Sequence, residues 1–396
     1  MTTDEEIQRL TSLSREMIAE YVSWGSKIKV KSLSSVFMDI TDFVNFRMET
    51  VESCLELIKS GKIADALGLC RSLLEHYLLL QLLCRGDKYF QLQSLQSKTP
   101  TEINEYLAEQ QEDLAKKHEN GENLECLYVA HYPREKKHLM YVFEGLRSEG
   151  EPDFRVPIHI FQFQDFQPSV MRLKDEDYFD YYEPPADLKA AQRKFRNQAK
   201  FNYRHHLSYD ALIQCLVLND LADPARVLRI EAHYTFLGRF LHPTHHAARD
   251  LHERSNWHSD NTVVGMSSPY SKTSQLLAAC YVAFLTASII DEIALLFESA
   301  PSRYITDAGT DSLRKSTKAV AESVSYFWFL DNEASLYDRF NWAVNHVDDA
   351  DLSKYGGYAG IPSEKIKFEA NIFMNFSNAL GGWSNQRVGS YQSPLS

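Results

Sequence analysis

Residues 62–85 read KIADALGLCRSLLEHYLLLQLLCR. Apolar side chains fall on almost every side of a helix drawn through this stretch. A helix tolerates that only when its neighbours enclose it. The run is therefore expected to form a central helix, ended by Gly86. Apolar residues at three- and four-residue spacing also predict helices over 4–24 and 32–59, the second capped by Ser32 or Ser34 and stopped at Gly61. Further helical patterns cover 101–119, a stretch after Pro133, and 187–203, 207–220, 224–241, 244–254 and 272–299. Two or three more helices are expected beyond 300, with a Gly-, Ser- and Asn-rich tail from 352 that packs loosely or adds a small appendage. The fold class is all-α, a multi-helix bundle.

The stretch FRVPIHIFQFQDFQPSV interrupts this pattern. It is rich in β-branched and aromatic residues and holds two prolines, so an irregular segment or small edge hairpin is expected there. With the acidic, aromatic KDEDYFDYYEPPAD that follows, it makes an insertion at about 150–187. The expected organisation is a helical domain over 1–300 carrying this insertion, then a C-terminal helical extension over 301–396.

The formal net charge is −12, which argues against a protein that coats nucleic acid, because neutralising phosphates needs clustered Lys and Arg. A local basic groove is still compatible with it. Six cysteines, none in CxxC spacing, give no zinc-ribbon or thioredoxin pattern and suit a reducing cytoplasm. Residues 276–297 approach membrane-span length, but Asp291 and Glu292 interrupt the run. A core helix is the expectation, with no membrane partner. No GxGxxG, GxxxxGK[ST] or GxSxG occurs, so no cofactor is predicted.

Three constellations could carry chemistry. Arg71 and Glu75 are four apart, on one face of a helix built for burial. They are either an ion pair that orders the bundle or a charged pair facing a cleft. The second constellation is RFLHPTHHAARDLH, 239–252. The helix before it starts after Asp223-Pro224, a cap followed by proline at the first helical position. His242-Pro243 then forces a break, since the residue before proline avoids helical geometry. A second helix starting at Pro243 would put His242 and His245 at its N-terminus, with Arg239 one turn back. Such a corner suits phosphate chemistry: free N–H groups and a partial positive charge meet an anion, and the same dipole keeps an imidazole neutral. Two other readings stay open, histidines that only cap a helix junction and a metal site, although no HExxH or ExxH spacing is present. Third, Lys189, Arg193, Arg196, Lys200 and Arg204 form one helical stripe interleaved with aromatics. This fits either a single-stranded nucleic-acid track or a solvated face.

ALGLCRSLLEHYLLLQLL resembles the RxxxE helix of a bacterial family whose later helix carries Y-x-x-L-S-x-x-x-H-P. The second pattern is met by Tyr234, Leu237, His242 and Pro243, with Gly238 in place of the serine. In layout this is similar to the HEPN superfamily of helical bundles, which place an Arg, four to six residues, then a His at a helix junction. Arg239 and His245 fit that spacing, and the resemblance covers 66–83 and 230–300. It implies a metal-independent endoribonuclease acting as a homodimer, in a toxin or phage-defence context, with an antitoxin or defence protein as partner. The RNA would be tRNA or another structured species, bound along Lys189–Arg204. His245 or His242 would act as base, Arg239 would stabilise the phosphorane, and Arg71 and Glu75 would orient them. The resemblance also extends to inactive relatives that serve as binding or scaffold modules. A metal-dependent helical enzyme is the third alternative.

Overall fold

Thr2 opens the first helix with a capping box, its hydroxyl accepting from the Glu5 amide while the Glu5 carboxylate accepts from the Thr2 amide. The computed structural model of the chain describes residues 2–30, 36–85, 209–218, 220–242, 251–252, 270–298, 305–306 and 309–385, with short strand segments between 88 and 182. Its helices are α1 (Thr3–Lys27), α2 (Val36–Lys59), α3 (Ile63–Arg85), α4 (Tyr209–Leu218), α5 (Pro224–Gly238), α6 (Lys272–Glu298), α7 (Asp311–Ser323), α8 (Leu336–His346), α9 (Asp349–Lys354) and α10 (Ile372–Asn385). Among the described residues, strand pairing consists of two-stranded antiparallel ladders. Lys29–Val30 pairs with Ile305–Thr306, and Met171–Lys174 pairs with Phe179–Tyr182 inside the insertion. The chain is an all-α, multi-helix protein.

The most enclosed helix is α6. Every residue from Leu276 to Ile290 is buried, and α1, α2, α3 and α7 pack around it. It is long and apolar enough to cross a membrane, yet 89% of its most apolar window is buried inside the bundle. Two of its small polar residues, Thr286 and Ser288, donate to the carbonyls four residues back at 2.7 Å each, and Ser274 donates to the Leu251 carbonyl at 2.8 Å. The run at 62–85 was expected to be central; it is packed on most sides but keeps one partly exposed strip, Arg71, Ser72, Glu75 and His76.

The chain beyond 300 closes the core. Four helices occur there among the described residues, α7 to α10, where two or three were expected. Phe327, Phe329 and Phe376 are each at most 2% exposed and join the main core. Of the two expectations for the tail from 352, loose packing does not describe residues 352–385, because Ile361, Ile372 and Ala379 are buried. A smaller apolar cluster forms around Trp328, Ala343, Ile361 and Ile366. From α5, Arg229 donates to the carbonyls of Phe329 and Asn332 at 2.8 and 2.9 Å, fastening the α7–α8 connection.

At the centre of this junction lies His233, fully buried among Tyr281, Phe327 and Phe329, with Nδ1 2.7 Å from the Tyr281 hydroxyl. Burial, then the nearby Arg229, pushes its pKa down to about 3. An unfolded imidazole titrates near 6.5, so the unfolded chain binds the extra proton between those values. The stabilisation from a neutral His233 is therefore complete above about pH 6.5 and is lost as pH falls toward 3, at roughly 1.4 kcal/mol per pH unit. Urea midpoints measured from pH 7 to pH 5 should fall. The slope should be shallower in His233→Leu, and equal slopes would refute the assignment.

Candidate functional site

The two halves of the predicted site meet where α3 crosses α5. Asp223 caps α5 by accepting from the Arg226 amide at 2.7 Å, with Pro224 in the first turn, as the sequence predicts. The helix ends at Gly238 and continues as tight turns, Phe240 to Leu237 and Leu241 to Gly238, each 3.2 Å. This brings Tyr234 and Gly238 against Arg71, although Tyr234 lies 163 residues away in sequence.

Arg71 has partners on both sides. Its Nε donates to Glu75 at 3.3 Å, another nitrogen donates to the Tyr234 hydroxyl, and its guanidinium carbon lies 4.2 Å from the Tyr234 ring centroid. Arg71 thereby links Glu75 and Tyr234. Burial, then the Glu75 charge, raises the Tyr234 pKa against the opposing pull of Arg71, so the phenol stays protonated at neutral pH. Tyr209 of α4 stacks on Tyr234 with centroids 3.6 Å apart. A Cβ built at Gly238 would sit 2.9 Å from an Arg71 terminal nitrogen, so a side chain there would require the guanidinium to shift.

Arg239 and His242 follow at the surface, both exposed. The described dipole at this corner is the negative end of α5, which favours a cation such as Arg239. The positive helix start expected at Pro243 lies outside the described residues, as does His245. The stripe Lys189, Arg193, Arg196, Lys200 and Arg204 also lies outside them. Of the five predicted catalytic residues, four are described: Arg71 and Glu75 are joined on α3, and Arg239 and His242 follow Gly238, the residue of α5 that packs against Arg71.

Two residues on this face went unnoticed in the sequence. Arg47 of α2 is 7% exposed, yet it donates only a 3.3 Å bond to Ser72 and lies 4.1 Å from the Phe46 ring centroid; its Nε has no hydrogen-bond partner. Burial pulls its pKa down to about 10. His76 packs edge-on against Phe43, and its Nδ1 has no partner. Burial, then Arg47, pushes His76 down to about 3, so it is a neutral imidazole at physiological pH. The only sequence signal for His76 is its place beside Glu75. Arg47 gave none, because periodicity does not show which turn of α2 meets α3.

Among the described residues, no three His, Cys, Asp or Glu side chains gather as a metal site would require. Comparison with protein-family models, curated proteins and solved structures finds no match for this chain.

Proposed function

We propose that the chain is a HEPN-like, metal-independent endoribonuclease of the cytoplasm, acting in a toxin or phage-defence setting. The observation that supports this reading is the meeting of Arg71 and Glu75 with Tyr234 and Gly238, beside the exposed Arg239 and His242. Two motifs distant in sequence thereby share one surface. In this reading Arg71, Glu75 and Tyr234 are positioning residues that fix the end of α5. Arg239, His242 and His245 are the groups offered to RNA.

The chemistry follows from those groups. His242 or His245 takes the proton from a ribose 2′-hydroxyl. The 2′-oxygen forms a bond to the adjacent phosphorus, and the bond to the 5′-oxygen breaks. Arg239 holds the extra negative charge of the phosphorane, its planar fork matching two phosphate oxygens. The products are a 2′,3′-cyclic phosphate and a 5′-hydroxyl. Leu228, Glu231, Thr235 and Arg239 form one exposed stripe of α5, which suits docking of a second copy beside the site.

The test is RNA integrity, tRNA included, after matched expression of wild type, Arg239→Ala, His242→Ala and His245→Ala. Cleavage by wild type should fall about 100-fold or more in Arg239→Ala and in at least one histidine variant. Fragments ending in a 3′-hydroxyl would contradict the mechanism. A second reading, a non-catalytic binding module, is favoured by the two internal hydrogen bonds and the ring contact that hold Arg71. RNA left intact by the wild type would make that reading the better one.

A further inference from the structure

Gly68 lies inside α3, buried between Leu67 and Leu69. A glycine there weakens a helix relative to alanine, because it loses more backbone freedom on folding. The space its side chain would need is taken by the chain after α5. A Cβ built at Gly68 would lie 3.2 Å from Leu241 Cδ2, 3.8 Å from the Phe240 carbonyl oxygen and 3.9 Å from the Phe240 carbonyl carbon. At Gly25 of α1, by contrast, a Cβ would meet nothing within 4 Å.

Gly68, Arg71 and Glu75 are three and four apart, so they share one face of α3. Arg71 meets Tyr234 and Gly238, in the last turns of α5. Gly68, one turn earlier on α3, meets Phe240 and Leu241, just beyond that end. The Arg71 contact holds the helix; the Gly68 contact is where the following turn rests on α3, by backbone as well as side chain. Two bonds of 3.2 Å close that turn, from the Phe240 amide to the Leu237 carbonyl and from the Leu241 amide to the Gly238 carbonyl. Arg239 and His242 flank Phe240 and Leu241. A valine at 68 would add two carbons beyond Cβ, beside a carbonyl oxygen already 3.8 Å away. The backbone of a closed turn makes room only by straining or breaking those bonds.

We propose that Gly68 is a positioning residue for the Arg239–His242 turn. Its missing side chain lets the turn seat on α3, and the seat sets where Arg239 and His242 stand relative to Arg71 and Glu75. The expected effect on RNA rests on the ribonuclease reading, whereas the seating of the turn is measurable without it.

The experiment compares the full-length wild type, Gly68→Ala, Gly68→Val and the double variant Gly68→Ala/Leu241→Ala. Hydrogen exchange of residues 236–242, followed by mass spectrometry, reports the turn directly. In Gly68→Ala this segment should exchange about threefold faster, and in Gly68→Val about tenfold faster, while the far-ultraviolet circular dichroism stays unchanged. Alanine is the better helix former, so a loss cannot come from α3 itself. Leu241 carries the atom nearest the new Cβ, and the double variant should return to the wild-type rate. Cleavage at saturating RNA should fall in the same order, by about tenfold or more in Gly68→Val, with KM held within about twofold, because the reacting groups are displaced and not removed. Gly68→Ala and its rescue decide the matter if Gly68→Val does not fold. Wild-type exchange in Gly68→Ala, a change that Leu241→Ala does not reverse, or altered exchange with undiminished cleavage would overturn the proposal. RNA left intact by the wild type would sink the ribonuclease reading alone, and the exchange rates would still decide for Gly68.

Discussion

Arg9→Met is expected to destabilise the folded chain by about 3 kcal/mol. Glu6 on α1 is fully buried, and Arg9 holds its carboxylate through two bonds of 2.6 and 2.7 Å. The second partner is the Tyr326 hydroxyl, which donates at 2.5 Å from the chain after α7. Removing the guanidinium leaves a buried carboxylate with one neutral donor. The loss belongs at the low end for a broken buried pair, because the Arg9 side chain is 36% exposed and water reaches it. Tyr326→Phe should cost less, about 1–2 kcal/mol, since the ion pair survives. Adding Glu6→Gln to Arg9→Met should restore part of the loss by removing the stranded charge. Urea denaturation at pH 7 checks all three. An Arg9→Met effect under about 0.5 kcal/mol would mean that Glu6 is not held as described.

Tyr281→Ala should cost about 4 kcal/mol, the scale for emptying a large aromatic from a rigid core. Tyr281 is fully buried on α6 and sits within 5.2–6.1 Å, ring to ring, of Phe236, Phe327 and Phe329. Those three rings come from α5 and from the chain after α7, so the cavity would open where separate segments join. Tyr281→Phe keeps the ring and removes only the oxygen that meets His233 Nδ1. It isolates the hydrogen bond, with an expected loss of about 1–3 kcal/mol. Denaturant midpoints with unchanged slopes give both values. If the two variants lose equal amounts, packing at this junction contributes little and the hydrogen bond dominates.

Much of the helical layout was legible in the chain. The cap and proline at Asp223-Pro224 fixed the start of α5, and the break at His242-Pro243 matches its end at Gly238 and the turns after it. The apolar run at 276–297 was expected to be a core helix, and α6 is buried through that stretch. Arg71 and Glu75 were placed on one face by their spacing alone, and they bond at 3.3 Å. Which helix would be most enclosed was not legible. The run at 62–85 and α6 are both apolar nearly all round, and only packing showed that α3 keeps an open polar strip.

The sequence by itself determined the all-α class and, to within a few residues, the bounds of α1 to α6, because local spacing and capping chemistry are written in neighbouring residues; the expected helices at 101–119, after Pro133, 187–203 and 244–254 lie outside the described residues. Tertiary structure alone decided that Tyr234 and Gly238 close on Arg71, that Arg47 lies buried and His76 half-buried beside that face, and that Arg85, Arg226 and Arg314 each find a carboxylate around one cleft. The physical reason is that these partners lie up to 207 residues apart. A helix pattern records that a face needs a partner, and only packing selects which one.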